Sequence, residues 1–297
     1  MARVISVLLV IVILACAALF LYPTVSDQLN RYQNAQRIYN YKATAQNLEP
    51  ADYSQMLAEA RAYNEKLAGR PFESVSTGIT EGLTESPEDA AEYRALLDPA
   101  GDGIMGILEI PKIGVRLAIY HGTGDDVLED GIGHMEGTAL PVGGLGAHCG
   151  LSGHRGLPSA RLLSDLDQME VGDLFYMNVL GELLVYQVDQ INVVLPHEIG
   201  YMNGDPLLDL VTLVTCTPYG INSHRLLVRG SRVEPENVYD SLSDTPAVSD
   251  VPAWMSAAIC AVPFAAVFLL ATRLIAFATR GRFKRKMKDE MTKQMEL

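Results

Sequence analysis

Two stretches of this chain carry no charged side chain and are long enough to cross a lipid bilayer, so whatever lies between them is committed to one side of a membrane. The first, residues 4–22, would span about 28 Å as a helix, against roughly 30 Å of hydrocarbon. Pro23 follows and is expected to close it. The second, residues 253–272, holds Trp254 near its start, where an aromatic suits the interface, and is followed by Arg273. Beyond it Arg280, Arg282, Lys284, Arg285, Lys286, Lys288 and Lys293 crowd the last 18 residues. Cations flanking a span favour the cytoplasm, and Arg3 argues the same for the N-terminus. With both termini inside, residues 24–252 sit outside the plasma membrane. A cleaved signal peptide is a second reading of the first stretch, and it exports the same domain.

Charge narrows the classes further. The net charge is −13. Setting aside the nine cations and three acids of the two flanks leaves 14 positive against 33 negative side chains, a balance of −19. A surface of that sign, with no basic stripe, argues against nucleic acid as a partner. Of four cysteines, Cys16 and Cys260 lie in the apolar stretches, leaving Cys149 and Cys216 in the exported part. Its compartment permits a disulfide between them, but two free thiols, with Cys149 a small buried strand residue, is the preferred reading.

The exported part changes texture at residue 104. Residues 24–70 are rich in helix formers, and Tyr53, Met56, Leu57, Ala60 and Leu67 recur at helical spacing before Gly69-Arg70-Pro71 ends the pattern. Residues 71–103 mix Ser, Thr, Gly, Glu and Pro around a brief helical patch at 90–97 and read as linker. From 104 to 235 short apolar runs alternate with Gly and Pro, predicting strands at 106–110, 116–120, 148–152, 174–178, 183–194, 210–216 and 225–233. Their number and spacing suit a closed or nearly closed β-barrel. A helix is expected at 159–169, where Leu162, Leu163 and Leu166 share a face, and a shorter one at 125–131. Residues 236–252 form a second linker, 253–279 the second membrane segment and 280–297 a cytoplasmic tail.

Cys216 ends the apolar run Leu210-Val211-Thr212-Leu213-Val214-Thr215. Thr217-Pro218-Tyr219-Gly220 then makes a turn, and the strand-like His224-Arg225-Leu226-Leu227-Val228 returns. Such a hairpin sets Arg225 beside Cys216. A thiol at a strand end next to a fixed cation suits nucleophilic chemistry, because the thiolate is the attacking form. It needs a proton carrier. His154, flanked by Gly153 and Gly156 just past a strand, is the candidate, while His121, His134 and His197 lie in loop-like contexts that suit solvated roles. His148 and His224 stay open.

At this point the residues resemble the sortases, specifically the pilin-polymerising class C group. Thr212-Leu213-Val214-Thr215-Cys216 matches the family's active-site strand, the continuation through Leu226 is similar to the class C form, and Gly153-His154-Arg155-Gly156-Leu157-Pro158-Ser159-Ala160 resembles the segment bearing its catalytic histidine. The resemblance covers about 104–233. It implies a mainly β fold: an eight-stranded sortase barrel with short helices, an N-terminal helical segment and two transmembrane helices. It also implies a reaction. Cys216 cleaves an LPxTG-like sorting signal between Thr and Gly, His154 moves the proton, Arg225 steadies the oxyanion, and a lysine of a pilin subunit resolves the thioacyl enzyme.

Class C members carry a lid with an Asp-Pro-aromatic motif. Asp98-Pro99 stands upstream of the barrel here, but Ala100 follows, so a weak lid is expected, with Asp98 pairing Arg225. No cofactor is implied: there is no nucleotide loop, and the crowded Asp125, Asp126, Glu129 and Asp130 read as a solvated surface rather than a metal site. A wall-anchoring sortase, a hydrolase and a tethered binding module without turnover are the competing readings.

Overall fold

Seven short runs of Val, Ile and Leu bounded by Gly and Pro become seven strands of one sheet, and an eighth strand joins them. The structure is a computed structural model describing residues 2–67, 87–198 and 202–234, with seven single helical positions between 261 and 276. The expected second linker, most of the second membrane segment and the basic tail lie outside the described residues, as does 71–86 of the first linker. Residues 1–29 with 251–297 form one unit and residues 30–250 another.

The helices are α1 (Ala2–Asn47), α2 (Pro50–Leu67), α3 (Pro87–Ala95) and α4 (Asp125–Asp130). The strands are β1 (Ile104–Ile110), β2 (Val115–His121), β3 (Ile132–His134), β4 (His148–Ser152), β5 (Leu174–Val179), β6 (Glu182–Val194), β7 (Leu210–Thr217) and β8 (His224–Arg232). They close in the order β1-β2-β3-β4-β7-β8-β6-β5, with β5 pairing back onto β1. Closure leaves no edge strand to be guarded. Among the described residues one helix, within α1, is long and apolar enough to cross a membrane.

Ile107, Leu108, Ala118, Ile119, Leu151, Phe175, Met177, Leu213 and Val228 are fully buried in a single core. Each large aliphatic side chain taken from water contributes about 1.5–3 kcal/mol. The N-terminal helices are fixed to the barrel domain by asparagine side chains that bind its backbone. The Asn34 Nδ2 donates to the Arg116 carbonyl at 2.7 Å while its Oδ1 accepts from the Ala118 amide. Asn64 likewise brackets Leu140.

Three expectations need correction. Pro23 does not end the first helix: α1 continues to Asn47, because one lost backbone bond is outweighed by the helical residues that follow and dock on the barrel. The helix expected at 159–169 is a run of turns and a 3-10 segment at Leu166–Gln168, with Leu162 at φ +40°. One carbonyl that a helix would need is drawn elsewhere, since Ser164 O accepts from Arg155 Nε, while Asp165 O accepts from Gln168 N in the tighter 3-10 turn. The missed strand, β3, is three residues long. Its Gly133 packs so closely that an added Cβ would lie 2.3 Å from Gly122 O.

Candidate active site

The β7–β8 hairpin sets Cys216 directly opposite Arg225 in the ladder. Cross-strand partners have Cβ atoms about 4.5–5.5 Å apart and share a face of the sheet. On the other side β4 runs parallel to β7 with a constant offset, from His148 beside Leu210 to Ser152 beside Val214. That offset persists past the strand end: the Gly153 amide donates to Val214 O at 3.0 Å and the Arg155 Nη1 to Thr217 Oγ1 at 3.1 Å. His154 is therefore level with Cys216. The β7–β8 ladder sets Cys216 and Arg225 in one row, and the β4–β7 offset, continued two residues past Ser152, aligns His154 with them.

Gly153 makes that approach possible. A Cβ there would meet Ile132 Cδ1 at 2.7 Å and Leu163 Cδ1 at 2.8 Å, so a side chain at this position requires those two neighbours to shift. Thr215 Oγ1 donates to Gly153 O at 2.7 Å, tying this glycine to β7 a second time.

The Cys216 thiol is free and half-buried. Arg225 Nη1 donates to the carbonyls of Asn222 and His224, both at 3.2 Å, which anchors one branch of the fork on the β7–β8 turn. Its Nε is buried and makes no hydrogen bond among the described residues. A buried donor of this kind gains from any acceptor brought to it. No hydrogen bond joins the Cys216 sulfur to His154 or Arg225; catalytic contacts of this type commonly tighten only when substrate binds.

His154 is half-buried, and burial lowers its pKa below the ordinary imidazole value. Asp125 and Glu129, one helical turn apart on α4, act in the opposite sense by favouring the imidazolium. The acidic cluster read as solvated surface thus bears on the site. Its other end is structural, with Asp130 paired to Arg37 of α1 at 2.7 Å.

The remaining thiol and histidines have other duties. Cys149 is buried in the core, and desolvation raises its pKa well above the ordinary value, so it is a poor source of thiolate. Its neighbour His148 points to the opposite face, as successive strand residues do, and is held by Asn203 O and Thr212 Oγ1. Contrary to the sequence reading, His134 is buried and His121 is half-buried and hydrogen-bonded. His134 is fully buried, with Nδ1 accepting from Tyr93 Oη at 2.8 Å and Nε2 donating to Ala139 O at 2.9 Å. His121 lies against the Tyr93 ring, its ring nitrogens next to Gly103 O and Leu96 O. Loop-like sequence around both concealed their contact with α3. His224 bonds Ser223 Oγ.

The expected pair between Asp98 and Arg225 does not form. Asp98 Oδ1 instead accepts the amides of Asp102 and Gly103, each at 3.1 Å. In a loop this rich in Asp and Gly, local backbone donors outcompete a distant cation. Pro99 and Ala100 belong to the same loop, which leads into β1, four strands from β7 in either direction round the barrel.

A closed eight-stranded barrel with a thiol at one strand end and an arginine facing it narrows the class to a thiol enzyme built on a β scaffold. Residues 108–233 match the model of the sortase domain. The chain is 40% identical to sortase C1 from Streptococcus agalactiae, whose crystal structure superposes with a TM-score of 0.61 over 67% of this chain and 98% of that one. Sortase C of Streptococcus pneumoniae, whose structure bears on pilin substrate specificity, is 38% identical, with a TM-score of 0.58 over 67% of this chain and 97% of its own. Sortase D of Bacillus subtilis (strain 168) is 29% identical over 153 residues, half of this chain and 74% of the relative. The chain belongs to the sortase family and is a sortase-type cysteine transpeptidase.

Sequence reasoning missed the reach of Asp125 and Glu129 toward His154 and the contacts of Arg155. Their i, i+4 spacing was the only local signal for the first pair. For Arg155 there was none, because its acceptors lie 9, 12 and 62 residues away.

Proposed function

We propose that this protein is a pilin-polymerising transpeptidase at the outer face of the plasma membrane, anchored by its terminal apolar segments with the barrel outside the cell. Cys216 attacks the carbonyl of Thr in an LPxTG-like sorting signal, His154 as imidazolium protonates the departing glycine amine, and a thioester remains on the sulfur. A lysine amine of the next pilin subunit then attacks that thioester while His154 accepts its proton, and the new isopeptide bond frees the thiol. Arg225, permanently charged, donates to the oxyanion or to the carbonyls of the signal peptide.

The observation that supports this reading is the single row of His154, Cys216 and Arg225, carried by the β4–β7 offset and the β7–β8 ladder. The pilin acceptor is supported by likeness to sortase C enzymes, one of them tied to pilin substrates. The test is to incubate the full-length chain in detergent with an LPxTG-type peptide and follow intact mass. An adduct on Cys216 that resolves faster with a pilin lysine peptide than with water or a wall-precursor amine supports the assignment. Equal rates with all three acceptors would remove the pilin role, and no adduct would remove the mechanism.

A further inference from the structure

The loop following His154 is fastened to the residue following Cys216 by one side chain. Arg155 is only 7% exposed, and each part of its guanidinium has its own acceptor. Nε donates to Ser164 O at 3.1 Å, Nη1 to Thr217 Oγ1 at 3.1 Å and Nη2 to Asp167 Oδ2 at 2.5 Å. Thr217 is the last residue of β7. Ser164 and Asp167 belong to the turns between β4 and β5, the stretch that replaces the expected helix.

A planar fork that meets three acceptors fixes position and angle together, which a flexible ammonium cannot do. The other ties between the histidine loop and β7 stop at Gly153. Past that residue His154 is held through its carbonyl, which accepts from Leu163 N, and through the fork of its neighbour. Thr217 and Cys216 are successive strand residues, so the Thr217 hydroxyl turns away from the thiol. The contact acts on placement and not on the reacting atoms.

We infer that Arg155 is a positioning residue for the transpeptidation, its guanidinium locking the His154 loop to Thr217 so that imidazole and thiol keep level. The inference rests on the assignment of Cys216 and His154 given above. Displacing a reacting group by about 1 Å costs on the order of 10² in rate. Loosening the fork therefore lowers kcat with little effect on KM, because the groups that hold the sorting signal stay where they are.

The test uses the full-length chain in detergent with an LPxTG-type peptide and an amine acceptor. Thr217→Val keeps shape and removes the acceptor; Thr217→Ser keeps it; Arg155→Lys keeps charge without the fork. Thr217→Val and Arg155→Lys are expected to lose at least about tenfold in kcat with KM within about twofold, and Thr217→Ser to stay close to the parent protein. Should Arg155→Lys fail to fold, the Val and Ser pair decides. A Thr217→Val protein with parental kcat, or a Thr217→Ser protein as impaired as Thr217→Val, overturns the inference. Cys216→Ala is run alongside: if it still forms the acyl adduct, the site assignment fails and the inference with it. If it is inert while Thr217→Val is unaffected, the inference alone fails.

Discussion

Cys216 and Arg225 are direct partners across the β7–β8 ladder, and Arg225 is also paired to Val194 at the end of β6. The arginine thus stands on the strand between the thiol and the longest strand of the barrel, with a paired strand on either side. The placement is set by the ladder and does not depend on a mobile side-chain contact.

Replacing Arg225 tests what that placement is for. Loss of one donor to a developing oxyanion costs about 10²–10³ in kcat. Arg225→Ala should reach that range in the acylation step, and Arg225→Lys should recover little, because an ammonium cannot present the fork. Rapid-quench measurement of the thioacyl adduct reads the step directly. An alanine variant that acylates as fast as the parent protein would leave the guanidinium without a catalytic role.

The pH dependence of the reaction should carry the mark of α4. Burial lowers the His154 pKa, whereas Asp125 and Glu129 raise it. Removing those charges leaves burial unopposed, so the imidazolium is lost at lower pH. In Asp125→Asn/Glu129→Gln, the limb of the kcat/KM profile belonging to His154 should move to more acidic pH, with a shift that shrinks in high salt. Superimposable profiles would show that the two carboxylates are screened from the ring.

His134 should make the fold sensitive to acid. Burial lowers its pKa to about 4, from an ordinary 6.5. Between those values the unfolded chain binds a proton that the folded one refuses, so this contribution is complete above 6.5 and declines as pH falls toward 4. The loss is about 3 kcal/mol over that window, and below it the group adds nothing further. His148, also lowered by burial, acts in the same direction. Melting temperature should therefore drop on acidification from pH 6.5 to 4. His134→Gln should lower stability at neutral pH yet flatten the slope, whereas an unchanged slope would place the acid sensitivity elsewhere.

The strands were legible because each is a short apolar run with Gly or Pro nearby, as Leu210 to Cys216 between Pro206 and Pro218 shows, and seven of eight were located that way. β3 was not, since Ile132-Gly133-His134 is too short to show an alternation and its glycine answers to a remote backbone. The triplet around 162–166 has helical spacing, but Arg155 takes a carbonyl that a helix would need. Spacing records a periodicity, not the competitor that breaks it. The row of Cys216 and Arg225 followed from a hairpin and was readable locally. The burial of His134 under Tyr93 was not, because 41 residues separate them and no local pattern marks either.

Asp98 offers a test of the lid expectation. Its carboxylate is engaged by the amides of Asp102 and Gly103 at the entry to β1. Asp98→Ala should therefore lower stability by about 0.5–1.5 kcal/mol per lost bond while leaving the rate of thiol labelling at Cys216 unchanged. A large acceleration of labelling would instead show that this loop covers the thiol in solution.

Beside Asn34, one buried hydroxyl helps to dock α1 on the barrel. Tyr41 is fully buried; its Oη donates to Met105 O at 2.9 Å and accepts from Leu180 N at 2.8 Å, bridging β1 to the β5–β6 turn. Burial also raises its pKa, so the phenol stays neutral and able to do both. Tyr41→Phe keeps the ring in the core and leaves a buried amide and a carbonyl unsatisfied, at about 1–3 kcal/mol each. The expected result is a lower urea midpoint with an unchanged m-value, since the surface exposed on unfolding stays the same. A midpoint equal to that of the parent protein would mean that the amide and carbonyl find other partners, and that Tyr41 contributes through the packing of its ring.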